Sequence, residues 1–199
     1  MKRIFFFVVL IWSVADTGFA QETKPALLKQ PVNWEFERFS LPPAFDPGFN
    51  YKGFEELRFA PGMFKKDSAD YFSYAFIASL DGNIKFSAED IRLYLLRYYR
   101  GLCGSVAREK KLIIDSAAIR VIKGGYTKSK GRFGYNYSLN IFGVFADGSP
   151  VKLNMEAEVI PGSAYKKTYL LFITSPQPKT AAIWKKLYEL RQGIRIPRE

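Results

Sequence analysis

Residues 133–159, FGYNYSLNIFGVFADGSPVKLNMEAEV, decide the fold. Apolar and polar side chains alternate over residues 133–141 and again over residues 151–159, and in both runs the apolar side chains occupy the odd positions. Alternation with a period of two places every second side chain on the same face of a strand. The stretch therefore predicts two β-strands, each with one face turned to the core.

The segment between these two strands predicts a hairpin. Opposed residues of an antiparallel pair share a face, so odd positions must pair with odd positions. A three-residue loop at 146–148, Ala-Asp-Gly, meets that condition and places its Gly at the left-handed position that such loops favour. This register would pair Phe145 with Ser149 and Ile141 with Leu153.

A long helix is predicted upstream, over residues 87–107. Ser87 and Asp90, three residues apart, form a loose capping box at its start. Apolar residues then recur at helical spacing, at Ile91, Leu95, Tyr98, Leu102 and Val106. Gly101 and Gly104 weaken the helix, and we interpret them as positions of close packing against a sheet.

Shorter elements complete the pattern. Strands are predicted at residues 69–80, 116–123 and 168–174, and a final helix at residues 179–192. The order of elements predicts an α+β fold, a curved antiparallel sheet packed on one long helix, with a C-terminal helix. This architecture resembles the cystatin-like and NTF2-like arrangements, with the hot-dog arrangement as a neighbour.

The region before the first of these strands differs in composition. Residues 21–66 carry prolines throughout, and Pro interrupts helices and central strands, so we predict an irregular arm. The arm is also rich in Phe, Tyr and Trp, which are scarce in disordered segments, so we expect it to lie along the domain. Residues 67–199 are predicted to form a single α+β domain.

Residues 1–20 have the pattern of a signal peptide. Two basic residues precede the apolar run 4–12, and a small-x-small site at 18–20 follows it. The apolar run is shorter than the roughly 20 residues that a membrane-spanning helix needs. We therefore predict cleavage after residue 20 and a periplasmic or extracellular protein, with no transmembrane segment in the mature chain.

Composition excludes several kinds of site. The 199 residues contain no His and one Cys, which removes His-dependent catalytic triads and the usual His- or Cys-ligated metal sites. We predict neither a metal site nor a cofactor. Cys103 has no internal disulfide partner, and we expect it to be buried rather than free or paired with another chain. The net charge of +11 fits either an anionic partner or simple solubility.

Glu55 and Glu56 are the candidate catalytic residues. A general acid and a general base need two carboxyl groups in different environments. Adjacent residues in an extended segment point to opposite faces, so only one of the two can face a given pocket. The alternative is an ordinary ion pair with Arg58 or another base, and Arg58 is also a candidate ligand-binding residue.

The segment 123–132 is predicted to be a Gly-rich basic loop. Its basic residues and one aromatic side chain could contact an anion or a nucleic acid; they are Lys123, Tyr126, Lys128, Lys130 and Arg132. The spacing of its glycines matches neither phosphate-binding loop motif. The alternative is a solvated connection between two strands.

Tyr94 and Tyr98 lie on the predicted long helix, where they could line a ligand cavity between helix and sheet. The alternative is that both rings are ordinary core, because aromatic side chains supply much of the buried area in small domains.

These observations predict an exported, non-catalytic binding or interaction domain. Its expected partner is an anionic envelope component or another exported protein. One alternative is a carboxylate-dependent enzyme acting in a helix–sheet cavity. The other is a basic surface that binds an anionic envelope polymer or nucleic acid, with an affinity that falls steeply with salt.

Overall fold

The computed structural model describes residues 26–129, 132–162 and 166–196. The predicted signal peptide, residues 1–20, lies outside this part of the chain. The described residues form a seven-stranded antiparallel sheet and two α-helices, which confirms the predicted α+β class.

The elements follow one another in a simple order. Their bounds are β1 Glu35–Leu41, β2 Gly53–Phe59, β3 Tyr74–Asp81, α1 Ala88–Lys110, a 3₁₀ turn Ser116–Ala118, β4 Arg120–Ser129, β5 Arg132–Phe142, β6 Pro150–Pro161, β7 Lys167–Ser175 and α2 Ala182–Gly193. Across the sheet the strand order is β1-β2-β3-β7-β6-β5-β4. Helix α1 therefore carries the chain from β3 to the far edge, and the meander from β4 returns it until β7 pairs with β3.

The hairpin predicted from residues 133–159 is present as β5 and β6, and its odd positions pair with odd positions. The register is two residues away from the predicted one, because Ile141 lies opposite Val151 rather than Leu153. A shift by two residues keeps every apolar side chain on its face, so the alternation pattern alone does not distinguish the two registers.

The connection between β5 and β6 explains this shift. It is a wide loop of residues 143–149, in which Phe145 and Ser149 are not a strand pair. Two backbone hydrogen bonds close the loop at Gly143: its N–H donates to the Ser149 carbonyl (2.8 Å), and its carbonyl accepts from Gly148 (3.0 Å). Gly148 has a φ of 76°, as its predicted left-handed position requires.

The segment 21–66 contains two strands and is therefore not irregular throughout. Strands β1 and β2 both fall there, and they pair with each other in the main sheet. Each is a window of seven residues without proline, so the prolines mark the connections and not the whole segment.

Helix α1 begins as predicted. Ser87 Oγ accepts a hydrogen bond from the Asp90 N–H (3.2 Å), and the Asp90 carboxylate accepts one from the Ser87 N–H (2.8 Å). The helix continues past the predicted end, to a left-handed C-cap at Lys111. Cys103 is buried on its core side, which confirms the prediction, and burial raises the pKa of its thiol to about 11.

The sheet is covered on both faces, whereas the sequence predicted packing on one long helix. Alternate residues of β3 divide between two cores: Phe76 packs with α1, and Ile77 packs with α2. Strands β3 and β7 are buried at nearly every position, the pattern of a strand enclosed on both sides.

None of the helices in the described part of the chain has the length and apolar character needed to cross a membrane.

Candidate binding surface

Glu55 lies on β2 and faces α1. Its side chain has no exposed surface, and Oε1 accepts a hydrogen bond from Tyr98 Oη at 2.6 Å. Within the described residues, Oε2 has no hydrogen-bond partner and no cation forms an ion pair with this carboxyl group. Burial raises the pKa of Glu55 to about 8, although the Tyr98 hydrogen bond lowers it. Glu55 is therefore a neutral, buried acid at physiological pH.

Tyr94 and Tyr98 are core residues rather than the walls of an open cavity. They are 3% and 2% exposed, and their rings stack with centroids 6.3 Å apart. Phe76 and Phe172 continue the stack on the sheet side, 5.6 Å from Tyr98 and 5.8 Å from Tyr94. These contacts fill the space between α1 and the sheet around Glu55.

Glu56 faces the other side of the sheet, as expected for neighbours on a strand. It too is fully buried, and its Oε2 accepts the backbone N–H groups of Leu27 (2.8 Å) and Leu28 (2.9 Å). Its Oε1 accepts from the guanidinium of Arg38 on β1, including Nε at 3.1 Å. The carboxylate thus holds the segment before β1 against the sheet.

Arg58 completes this attachment of the N-terminal segment. Its guanidinium donates to the carbonyls of Leu28 (2.8 Å) and Trp34 (2.9 Å) and lies over the Phe36 ring at 4.5 Å. The sequence led us to expect an ion pair of a local glutamate with Arg58 or another base, and the base that pairs with Glu56 is Arg38. The structure therefore gives Glu56 and Arg58 a structural role.

The positions of Glu55 and Glu56 bear on any catalytic function. The two carboxyl groups are separated by the sheet itself, so they cannot act on one substrate. Among the described residues there is also no group of three or more Cys, Asp or Glu side chains placed to hold a metal ion.

The predicted basic loop 123–132 is mostly strand. β4 extends to Ser129, with a bulge between Lys123 and Tyr126. Lys123 forms an ion pair with Glu89 of α1 (2.8 Å), and Tyr126 is 52% exposed with its ring 5.7 Å from Tyr135. The candidates Lys128, Lys130 and Arg132 lie outside the residues whose side chains are described.

A groove of about 500 Å³ runs along the outer surface of α1, where no candidate residue was predicted. Its lining residues are Phe45, Asp46, Leu93, Leu96, Arg97, Arg100 and Gly101. The helical residues recur at spacings of three and four on the side away from the core. A sequence signal was available, because Leu93 and Leu96 fall outside the predicted apolar stripe of the helix.

Gly101 shapes one wall of this groove. A Cβ atom there would lie 3.2 Å from the ring and the carbonyl oxygen of Phe45. The close approach is therefore to the segment before β2 and not to the sheet, as the sequence had suggested. Gly104, the second glycine of the helix, has open space beside it, since its nearest neighbour would be Arg108 at 3.9 Å.

Asp46 and Arg97 form an ion pair at the same wall of the groove. The guanidinium of Arg97 binds both carboxylate oxygens of Asp46, at 2.5 and 2.9 Å. This bidentate pair lowers the pKa of Asp46, the hydrogen bond from Arg97 being the largest cause.

A second groove, of about 350 Å³, lies between the N-terminal segment and α2. Its lining residues include the apolar Trp34 and Leu190 and the charged Lys186 and Glu189. Its charged residues are of both signs, so it shows no preference for a charged ligand.

The comparisons with known proteins found no matching protein-family model and no matching curated protein.

Proposed function

We propose that the protein is an exported, non-catalytic binding domain that acts in the periplasm or outside the cell. The main support is the placement of Glu55 and Glu56, the two candidate catalytic residues. Each carboxyl group is fully enclosed, and the two face opposite sides of the sheet. The space between α1 and the sheet, where a substrate would have to bind, is filled by stacked rings.

The second candidate function is a basic surface that binds an anionic envelope polymer or nucleic acid. Arg100 and Arg120 are exposed, and neither forms an ion pair with a carboxylate in the described part of the chain. An anionic envelope component or a second exported protein would both meet this surface. We also propose that the sheet curves around α1 in the cystatin-like, NTF2-like or hot-dog manner, supported by the packing of α1 along one face of an antiparallel sheet.

The first experiment tests export. The full chain is produced with a C-terminal tag in the organism that makes it, the cell is fractionated, and the N-terminus of the product is determined by mass spectrometry. We expect a product outside the cytoplasm that begins at residue 21. A cytoplasmic product that retains residues 1–20 would contradict the localisation.

The second experiment tests binding without catalysis. The exported product is mixed with envelope fractions of the same organism and sedimented at increasing protein concentration. We expect saturable binding that the Glu55→Gln variant retains, because Glu55 has no exposed surface. The proposal fails if no fraction binds, or if the product turns over a substrate and Glu55→Gln abolishes that activity.

A further inference from the structure

We propose that the groove on the outer surface of α1 is the docking site for an acidic amphipathic helix of a partner protein. This inference rests on the proposed function as a binding domain, and it names the surface and the kind of partner.

The floor of the groove is apolar and only partly buried. Leu93 is 49% exposed, whereas the core residues on the opposite side of α1, such as Ile91 and Leu95, have no exposed surface. Phe45 borders the floor and contacts the ring of Tyr98 beneath it, with centroids 5.0 Å apart. A solvent-exposed leucine beside a partly buried aromatic ring gains stability when a partner covers it.

The charges around the groove are unbalanced. Glu89 forms ion pairs with Arg92 (2.6 Å) and Lys123 (2.8 Å). Asp90, the other acidic residue in the first turn of α1, caps the helix through Ser87. Asp46 is likewise occupied by Arg97.

Two arginines remain for a partner. The guanidinium groups of Arg100 and Arg120 both donate to the Ala117 carbonyl, Arg100 at 3.4 Å, which brings two positive charges to one point beside the groove. Asp115, the nearby acidic residue, accepts from the Ala117 N–H (2.9 Å) and caps the 3₁₀ turn. Within the described residues no carboxylate forms an ion pair with either arginine.

The shape of the groove selects the occupant. It is open to solvent, so it would leave much of a small molecule in water, whereas small-molecule sites bury about 70–90% of their ligand. A flat lipid surface would not fill a concave groove behind the paired Asp46 and Arg97. The ridge of side chains on an α-helix fits a groove on another helix, and its apolar positions three and four residues apart match Leu93 and Leu96.

The two arginines beside the groove favour a negatively charged helix. Arg guanidinium groups form paired hydrogen bonds with carboxylates, so Glu or Asp side chains flanking the apolar stripe would meet Arg100 and Arg120. The partner is therefore a helix with leucine-like residues on one side and carboxylates along the border.

The test uses a synthetic helical peptide of about 14 residues, four turns, with Leu at positions three and four apart and Glu beside them. A matched peptide has Gln in place of each Glu. Binding to the exported product is followed by ¹H–¹⁵N NMR. We expect the Glu peptide to bind about tenfold more tightly than the Gln peptide, with shifts centred on residues 93–101 and 45–46.

Variants locate the site independently. Arg100→Gln and Leu93→Ala should each weaken binding of the Glu peptide, by about fivefold or more. Their matched controls, Lys185→Gln on α2 and Ile113→Ala beyond the end of α1, should leave it unchanged, since both side chains are exposed and lie outside the groove.

The docking site would be overturned if the Glu peptide did not bind at about 1 mM, the weak end of specific association. It would also be overturned if both peptides bound equally well. A third contrary result is binding to vesicles of phosphatidylglycerol and phosphatidylcholine in place of the peptide. Envelope binding that survives both Arg100→Gln and Leu93→Ala would also overturn it while the proposed function stands. If the unmodified protein did not bind any envelope fraction, that result would count against the proposed function itself.

Discussion

At the scale of single residues, Glu55 makes stability depend on pH. Its pKa of about 8 in the folded protein exceeds the ordinary value of 4.5, so the folded protein keeps a proton that the unfolded chain releases. Its contribution is complete below about pH 4.5 and is lost as the pH rises towards 8. We expect Glu55→Gln, which cannot ionise, to gain stability relative to the unmodified protein by about 1 kcal/mol per pH unit over this range.

Urea unfolding of both proteins at pH 5 and pH 8 measures this difference. Tyr98→Phe is the companion variant, because Tyr98 donates the hydrogen bond that lowers the pKa of Glu55, so its removal should raise that pKa further. A difference between Glu55→Gln and the unmodified protein that does not change with pH would contradict a neutral Glu55.

Glu56 differs from its neighbour because its carboxylate accepts from an arginine and two backbone N–H groups. In Glu56→Gln an amide N–H₂ would face donors already in place, at Leu27, Leu28 or Arg38. Leaving a buried donor without its acceptor costs about 1–3 kcal/mol. Glu35→Gln, an exposed change at the edge of the sheet, should cost less than about 0.5 kcal/mol in the same denaturation measurement. If Glu56→Gln and Glu35→Gln lowered the free energy of unfolding equally, Glu56 would not have this structural role.

At the scale of elements, the two glycines of α1 distinguish the effect of helix propensity on stability from the effect of packing. Gly104→Ala adds a Cβ into open space, and Ala favours helix over Gly by about 1 kcal/mol, so stability should rise by about that amount. Gly101→Ala would gain the same propensity but press its Cβ against Phe45, 3.2 Å away. We expect Gly101→Ala to be less stable than Gly104→Ala in thermal unfolding. Equal stabilisation would show that Phe45 moves away without cost.

The same elements show how far sequence reasoning reaches. The start of α1 and the faces of β5 and β6 are local patterns, and the structure has both. The β5–β6 register is fixed by backbone hydrogen bonds of a wide loop, and residue alternation does not encode these bonds. The prolines around β1 and β2 led to the prediction of an irregular segment, although both strands lack proline and pair with a neighbouring strand.

The candidate site was harder to predict than the fold. Opposite orientations of Glu55 and Glu56 follow from strand geometry, but their complete burial depends on α1 and on the segment around Leu27, which are distant in sequence. The groove on α1 combines Leu93 with Phe45, which is brought to the helix only by the tertiary fold.

At the scale of the whole molecule, the sheet joins two cores that share its central strands. On the α1 side lies Cys103, and on the α2 side lie Trp34 and Trp184. Alternate residues of β3 and β7 belong to different cores, so neither core can be lost while these strands remain intact. We therefore expect one cooperative unfolding transition, as in most small domains.

Two probes, one on each side of the sheet, test this expectation in a protein produced without residues 1–20. Reaction of Cys103 with a disulfide reagent reports the α1 core, because its thiol is buried and its pKa is raised to about 11. Tryptophan fluorescence reports the α2 core, where Trp34 and Trp184 are 3% and 0% exposed. Both probes should give the same urea midpoint. Thiol reactivity that appears well before the fluorescence change would mean that α1 leaves the sheet while α2 and the N-terminal segment stay bound, and the molecule would then consist of two separately stable layers.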